Sequence, residues 1–214
     1  MPTTFTAPTW SYITPDDGNL GSIIAELVSL VPDTGSTRSL IYGWTDPTVF
    51  TSLVEAQKRG VDAQGGCDHS QSIGPVEQRN LTAFFSQIKR WDSRGNILWW
   101  IGTSDQSDQI IHAKTIWVNW NESSPYPYTQ EPTVYSDWRD YVRSGYPTVL
   151  RGSYNWSTTA HKQVNTMDIS PSPELCHMYQ TTYNRTRTYN LQHNSSWNTP
   201  PSVTPQVMKF IPDE

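Results

Sequence analysis

With 214 residues, the chain has room for one domain, or one domain with long embellishments, and its net charge of −5 excludes a generally basic nucleic-acid coat. No run of eighteen apolar residues exists, which excludes a helical membrane span. Ten Trp and eleven Tyr against five Phe make an amphipathic aromatic set. Such rings suit stacking on bases, sugars or lipid head groups, and equally a core with hydrogen-bonded rims, which is the commoner use.

The start, Met1-Pro2-Thr3-Thr4-Phe5-Thr6, has neither a basic region nor an apolar core, so no signal peptide is expected. Location stays open between the cytoplasm and release without a classical signal. Residues 1–20, with Pro2, Pro8 and Pro15, read as an extended lead-in. Ser22 can cap a helix carrying Ile23, Ile24, Leu27, Val28 and Val31 at helical spacing, ended by Pro32-Asp33 and Gly35. Ser39 to Trp44 suits a buried strand. Thr45 or Asp46 then caps a helix with Pro47 in its first turn, which runs to Arg59 and stops at Gly60.

Val61 to Asp68 reads as the next strand, weakened by Gly65 and Gly66. Pro75 to Trp91 is helical, with Leu81, Phe84, Phe85 and Ile88 on one side. Ile97 to Ile101 and Ile111 to Asn119 are strands. Glu174 to about Tyr183 is a helix, and from Asn190 onward the Pro-rich sequence reads as a surface tail. Strands alternating with helices imply an α/β fold: a mixed β-sheet flanked by helices.

Two short stretches carry chemistry. In Ile111-His112-Ala113-Lys114, residues two apart on a strand share a face, so His112 and Lys114 can enter one pocket. In Gly152-Ser153-Tyr154-Asn155, a strand ends in a tight turn that presents a hydroxyl and an amide. No His, Cys, Asp or Glu cluster has metal-ligand spacing, so neither metal nor cofactor is expected. Cys67 and Cys176 form neither a metal-ligand spacing nor a disulfide framework, and two free, partly buried thiols are expected. Of five Asn-X-Ser/Thr triplets, the one at Asn155 falls inside the proposed site, where a glycan would block chemistry.

His-X-Lys followed by Gly-Ser-X-Asn resembles the signature of the phospholipase D superfamily, and Ala56-Gln57-Lys58-Arg59-Gly60-Val61 matches a segment of that family as well. The resemblance covers about residues 20–190. It implies a catalytic domain over 21–190, an aromatic-rich insertion at about 120–148 and a tail over 191–214. The insertion is either a lid at the mouth of the site or a surface excursion.

By resemblance, His112 is the nucleophile of a metal-independent phosphodiesterase, with a covalent phosphohistidine. Lys114 and Asn155 act with it, and Ser153, Lys114 and Asn155 bind phosphate. Where the family has Asp, this chain has Asn119. Where it often has Asn-X-Glu, Asn165-Thr166-Met167-Asp168 offers Asp168 one position late. Asn119, Asn165 and Asp168 are therefore candidate orienting residues; Asn119→Asp raises the rate if the missing carboxylate leaves the site less well oriented, leaves it unchanged if the amide is a neutral exchange, and lowers it if the site is re-tuned around the amide.

One chain supplies a single His-X-Lys, while the chemistry calls for two imidazoles. Single-motif relatives pair two chains, so a homodimer with the site on the two-fold axis is expected; His161 is the alternative second imidazole within one chain. By resemblance, nucleic acid is the favoured substrate, because compact single-motif relatives are mainly nucleases; that reading calls for a local basic patch, for which Arg139, Arg143, Arg151, Lys162, Arg185 and Arg187 are the candidates. A phospholipase is the alternative enzyme, and a non-catalytic binding protein or toxin on the same fold the third class.

Overall fold

The computed structural model describes residues 8–43, 45–104, 111–123, 133–157 and 159–198. Trp44, the first seven residues of the expected lead-in, residues 124–132 of the insertion and 199–214 of the tail lie outside them. The strands are β1 (Trp10–Ile13), β2 (Ser36–Ile41), β3 (Asp62–Asp68), β4 (Trp99–Gly102), β5 (Lys114–Val118), β6 (Thr148–Gly152) and β7 (Thr166–Pro171). The helices are α1 (Leu20–Ser29), α2 (Pro47–Arg59), α3 (Pro75–Gln87), α4 (Trp138–Arg143) and α5 (Pro173–His193).

The strands make one mixed sheet in the order β1-β7-β6-β5-β2-β3-β4. β2, β3 and β4 run parallel, whereas β5 is antiparallel to both β2 and β6, and β7 to both β6 and β1. Leu27, Leu53, Phe84 and Val142, from α1 to α4, pack with Ile116 and Val118 on one face. Cys176 and Tyr183 of α5 pack with Trp117 and Val149 on the other. This is the expected helix-flanked mixed sheet.

Local chemistry sets the boundaries. α1 starts one turn earlier than its apolar residues suggest, because Asn19, not Ser22, caps it by accepting from the Gly21 N–H at 2.9 Å. Asp46 caps α2, Pro47 follows, and Gly60 ends the helix at φ 104°. The glycines that weaken β3 make room for tryptophans of the neighbouring strand. Gly65 and Gly66 pair with Trp99 and Trp100, and a Cβ on either glycine would come within 2.2 Å of the facing indole. Trp99, Trp100, Trp117, Trp138 and Trp156 are all fully buried, so the described aromatic surplus serves largely as core.

Three elements depart from the expected pattern. Trp10–Ile13, within the expected lead-in, forms the edge strand β1, paired to β7 from Trp10↔Ile169 to Ile13↔Thr166. β7 itself was hidden because Thr166, Asp168 and Ser170 alternate with its apolar residues outside any strong propensity run. α5 extends ten residues beyond Tyr183, past Asn190, and its buried face is polar. There Gln180 accepts from Trp117 Nε1 at 2.9 Å. Asn190 brackets Thr103, accepting from its N–H and donating to its carbonyl.

A 3-10 turn, Ser195–Asn198, follows in the expected tail, and Asn198 exchanges hydrogen bonds with the Ile101 backbone. Cys67 and Cys176 are both free and fully buried, on opposite faces of the sheet, where burial pushes each thiol well up.

The described part of the insertion contributes to the core through Trp138 and Val142 of α4. It leaves β5 from the end away from His112, and α4 packs over β1 and β7, two strands beyond β5. Trp138 Nε1 donates to Tyr12 Oη at 2.9 Å, and Tyr141 meets the Trp10 ring edge-on.

Truncation after Asn190 tests whether the C-terminal turn belongs to the folded unit. Arg90 and Ile101 would lose partners and His69 its stacked Trp197. Urea denaturation is expected to show a loss of about 2–4 kcal/mol; an unchanged midpoint would mark the segment as a dispensable tail.

Candidate active site

Lys114 opens β5, and His112 stands two residues before it at the same end of the sheet. That end also carries the last residues of β2 and β3 and the turn after β6. As the i, i+2 spacing predicts, both side chains reach one partner, the ring of Tyr42. The His112 imidazole lies 5.0 Å from it, edge-on at 64°, and Lys114 Nζ lies 4.8 Å from its centroid. His112 is exposed, whereas Lys114 is only 5% exposed and donates from Nζ to the His112 carbonyl at 2.9 Å. Burial lowers the Lys114 pKa.

The second stretch reaches the same corner through Gly43. A Cβ on Gly43 would stand 3.2 Å from Asn155 Cβ, so glycine lets the two loops touch. The Thr45 and Asp46 N–H groups both donate to the Trp156 carbonyl, at 2.8 and 3.0 Å. Asn155 Oδ1 is buried with no hydrogen-bond partner among the described residues. A buried acceptor left open in this way marks a place that a ligand can complete.

Ser153 is differently placed. Its hydroxyl accepts from the Thr166 N–H at 3.0 Å and donates to Asn165 Oδ1 at 3.3 Å. Asn165 is buried and donates from Nδ2 to the Ala160 carbonyl at 2.8 Å, so it holds the Ser153 loop to the 3-10 turn that contains His161. Asp168 accepts from the Ser11 hydroxyl at 2.6 Å, toward the β1 edge. Asn119 sits at the far end of β5 at φ 59°, donating to the Val142 and Tyr146 carbonyls. The fold therefore sets His112 and Lys114 against Tyr42 and Asn155 against the next residue, Gly43, ties Ser153 and Asn165 into the loop that carries Asn155, and leaves Asn119 and Asp168 elsewhere.

The six basic residues do not converge. Arg139 pairs with Glu26 and Asp137, and Arg143 with Asp140, all around α4. Arg185 and Arg187 ride on α5, while Arg151 and Lys162 stay near the ends of β6 and the Asn165 loop.

Two contributors escaped the sequence reading. Tyr42 sat within an apolar run. Asp68 closed a strand and matched no motif, yet its carboxylate is wholly buried, accepting from the Ser70 N–H and hydroxyl and, across 43 residues, from the Ile111 N–H at 2.5 Å. It thus fixes the backbone one residue ahead of His112. His69 stacks on Trp197 at 3.6 Å, and burial lowers its pKa, partly offset by Asp68.

No family model and no curated protein matches the chain. Among solved structures it is similar to Nuc from Salmonella typhimurium, described as a phospholipase D family member. The TM-score is 0.59 at 17% identity, over 85% of this chain and 95% of that one. It is similar also to NucT from Helicobacter pylori, with TM-score 0.59 and 12% identity over 85% and 96%. The fold is that of the phospholipase D superfamily. At these identities the likeness speaks for the phospholipase D-like fold, and the parts played by single residues rest on the local geometry.

Two substitutions probe the scaffold. Asp68→Ala should leave the Ile111 N–H unprotected, with its amide exchange accelerated at least about tenfold and stability lowered by about 2–4 kcal/mol; unchanged protection would remove Asp68 from this role. Asn119→Asp would set a carboxylate against two carbonyl oxygens. It should cost about 1–3 kcal/mol of stability without raising turnover, in place of the gain expected if the missing carboxylate left the site less well oriented.

Proposed function

We propose that the chain hydrolyses phosphodiesters, most naturally those of a nucleic acid, through a covalent phosphohistidine on His112 and without a metal. The observation that carries this reading is the approach of His112 and Lys114 to Tyr42 and of Asn155 to the adjoining Gly43. Its setting is a sheet shared with Nuc and NucT. His112 is exposed enough to approach phosphorus. A neutral imidazole forms the N–P bond as the P–O bond to the leaving group breaks, and a second, protonated imidazole gives its proton to the departing oxygen. Water then forms a new P–O bond as N–P breaks, and its proton returns to the second imidazole. Lys114, buried against Tyr42, and the Asn155 amide stabilise the phosphoryl oxygens, where charge develops.

The second imidazole is assigned to His112 of another copy, in a homodimer with the site on its two-fold axis. Four of the six exposed large hydrophobic side chains among the described residues support this face as one that becomes covered: Ile13, Ile73, Val76 and Val164. Ile13 and Val164 flank the start of β7, and Ile73 and Val76 follow the turn after β3, all at the His112 end.

His112→Asn should abolish hydrolysis of plasmid, RNA or phospholipid vesicles in excess EDTA with the fold intact, and retention of more than about a tenth of the rate would sink the nucleophile. Lys114→Met should cost about a hundredfold or more. In mixtures of wild type with His112→Asn, activity should fall as the square of the wild-type fraction. Sedimentation should report about twice the 24.4 kDa chain. A fully active monomer would overturn the dimer, and hydrolysis of vesicles alone would move the substrate to phospholipid.

A further inference from the structure

Tyr42 touches more of the site than any motif residue does. Its N–H donates to the Ala113 carbonyl at 2.9 Å, midway between His112 and Lys114. Lys114 Nζ sits 4.8 Å from its ring centroid, and the His112 ring meets it at 5.0 Å. From the far side, Gln71 Nε2 donates to its hydroxyl at 3.2 Å, so the ring is held at both ends.

We propose that Tyr42 is a positioning residue whose π face holds the Lys114 ammonium and whose ring packs at a steep angle against the His112 imidazole, with Gln71 locking the ring in place. Its consequence for turnover rests on the phosphodiesterase reading; its structural content does not.

The electrostatic need is specific. Lys114 is buried, Ile41 faces it across β2, and no carboxylate among the described residues pairs with it. The titratable groups set against it are Tyr42, from the end of β2, and His112, on its own segment. A paired carboxylate would neutralise the cation that a phosphoryl oxygen is to meet. A ring quadrupole attracts the ammonium and leaves its full charge to the anion. Desolvation lowers the Lys114 pKa, whereas a π face favours the charged form, so removing the ring should lower that pKa further. The hydroxyl, engaged by Gln71, serves as the ring's tether rather than as a reacting group.

The test compares wild type, Tyr42→Phe and Tyr42→Leu in the full chain, by NMR titration of 13C-labelled lysine and by steady-state hydrolysis of plasmid DNA. In Tyr42→Leu the Lys114 midpoint should fall by about 0.5 or more. There kcat should drop about thirtyfold with KM within about threefold, while Tyr42→Phe, which keeps the π face and loses only the Gln71 tether, should recover most of both readouts. Replacing Tyr42 by 3,4,5-trifluorophenylalanine keeps the shape and weakens the π face. It should lower the midpoint in the same direction, which serves if Tyr42→Leu does not fold. An unmoved midpoint in both ring-weakened variants, or Tyr42→Phe as impaired as Tyr42→Leu, overturns the proposal. If wild type cleaves no phosphodiester, the proposed activity falls, and the midpoints still decide the role of Tyr42.

Discussion

A buried carboxylate, that of Asp68, holds the point at which the chain re-enters its own sheet. β4 is the far edge strand, and β5, the next strand in the chain, lies beyond β3 and β2, antiparallel to β2. A carboxylate with no exposure is tolerated only when donors replace its water, and here Ser70 and the Ile111 N–H supply them. One group thereby joins the end of the parallel half to the start of the antiparallel half. Asn190 does the same for Thr103 on the outgoing side, from a wholly buried position on α5. With Ile111 pinned, the register of β5 against β2 and β6 delivers His112 and Lys114 to one ring.

Hydrogen bonding sets Ser153 and Asn165 apart from Asn155 and Lys114. Ser153 and Asn165 look equally chemical in sequence, yet their polar groups are spent on one another, on Thr166 and on Ala160. Asn155 keeps an open, buried acceptor, and Lys114 a cation with no described counter-charge. Groups left incomplete in a tight interior are where an anionic, polar ligand gains most, because the unbound protein has already borne the desolvation.

The aromatic residues illustrate the opposite economy. Five fully buried tryptophans demand volume that an ordinary sheet does not have. β3 supplies it by giving up side chains at Gly65 and Gly66 beneath Trp99 and Trp100. Of the buried tryptophans, Trp138 and Trp117 donate their indole N–H groups to Tyr12 and Gln180 from buried positions.

What the sequence determined by itself was local. Asp46, Pro47 and Gly60 bound α2 through capping and left-handed backbone geometry. The two-residue spacing of His112 and Lys114 turned them toward one ring, although β5 begins only at Lys114. Apolar periodicity marked the helices that pack on the sheet's first face. What only the tertiary structure decided lies where polar groups find partners far along the chain. β1 and β7 exist through pairing with each other and with β6, and α5 stays helical past Asn190 because Gln180 and Asn190 are satisfied by Trp117 and Thr103. Tyr42 and Asp68 carry no spacing that distinguishes them, since their contacts cross 70 and 43 residues respectively, as Tyr42–His112 and Asp68–Ile111. A buried polar residue reads as an exposed one until its distant partner is known, because burial without a hydrogen bond is what it cannot sustain.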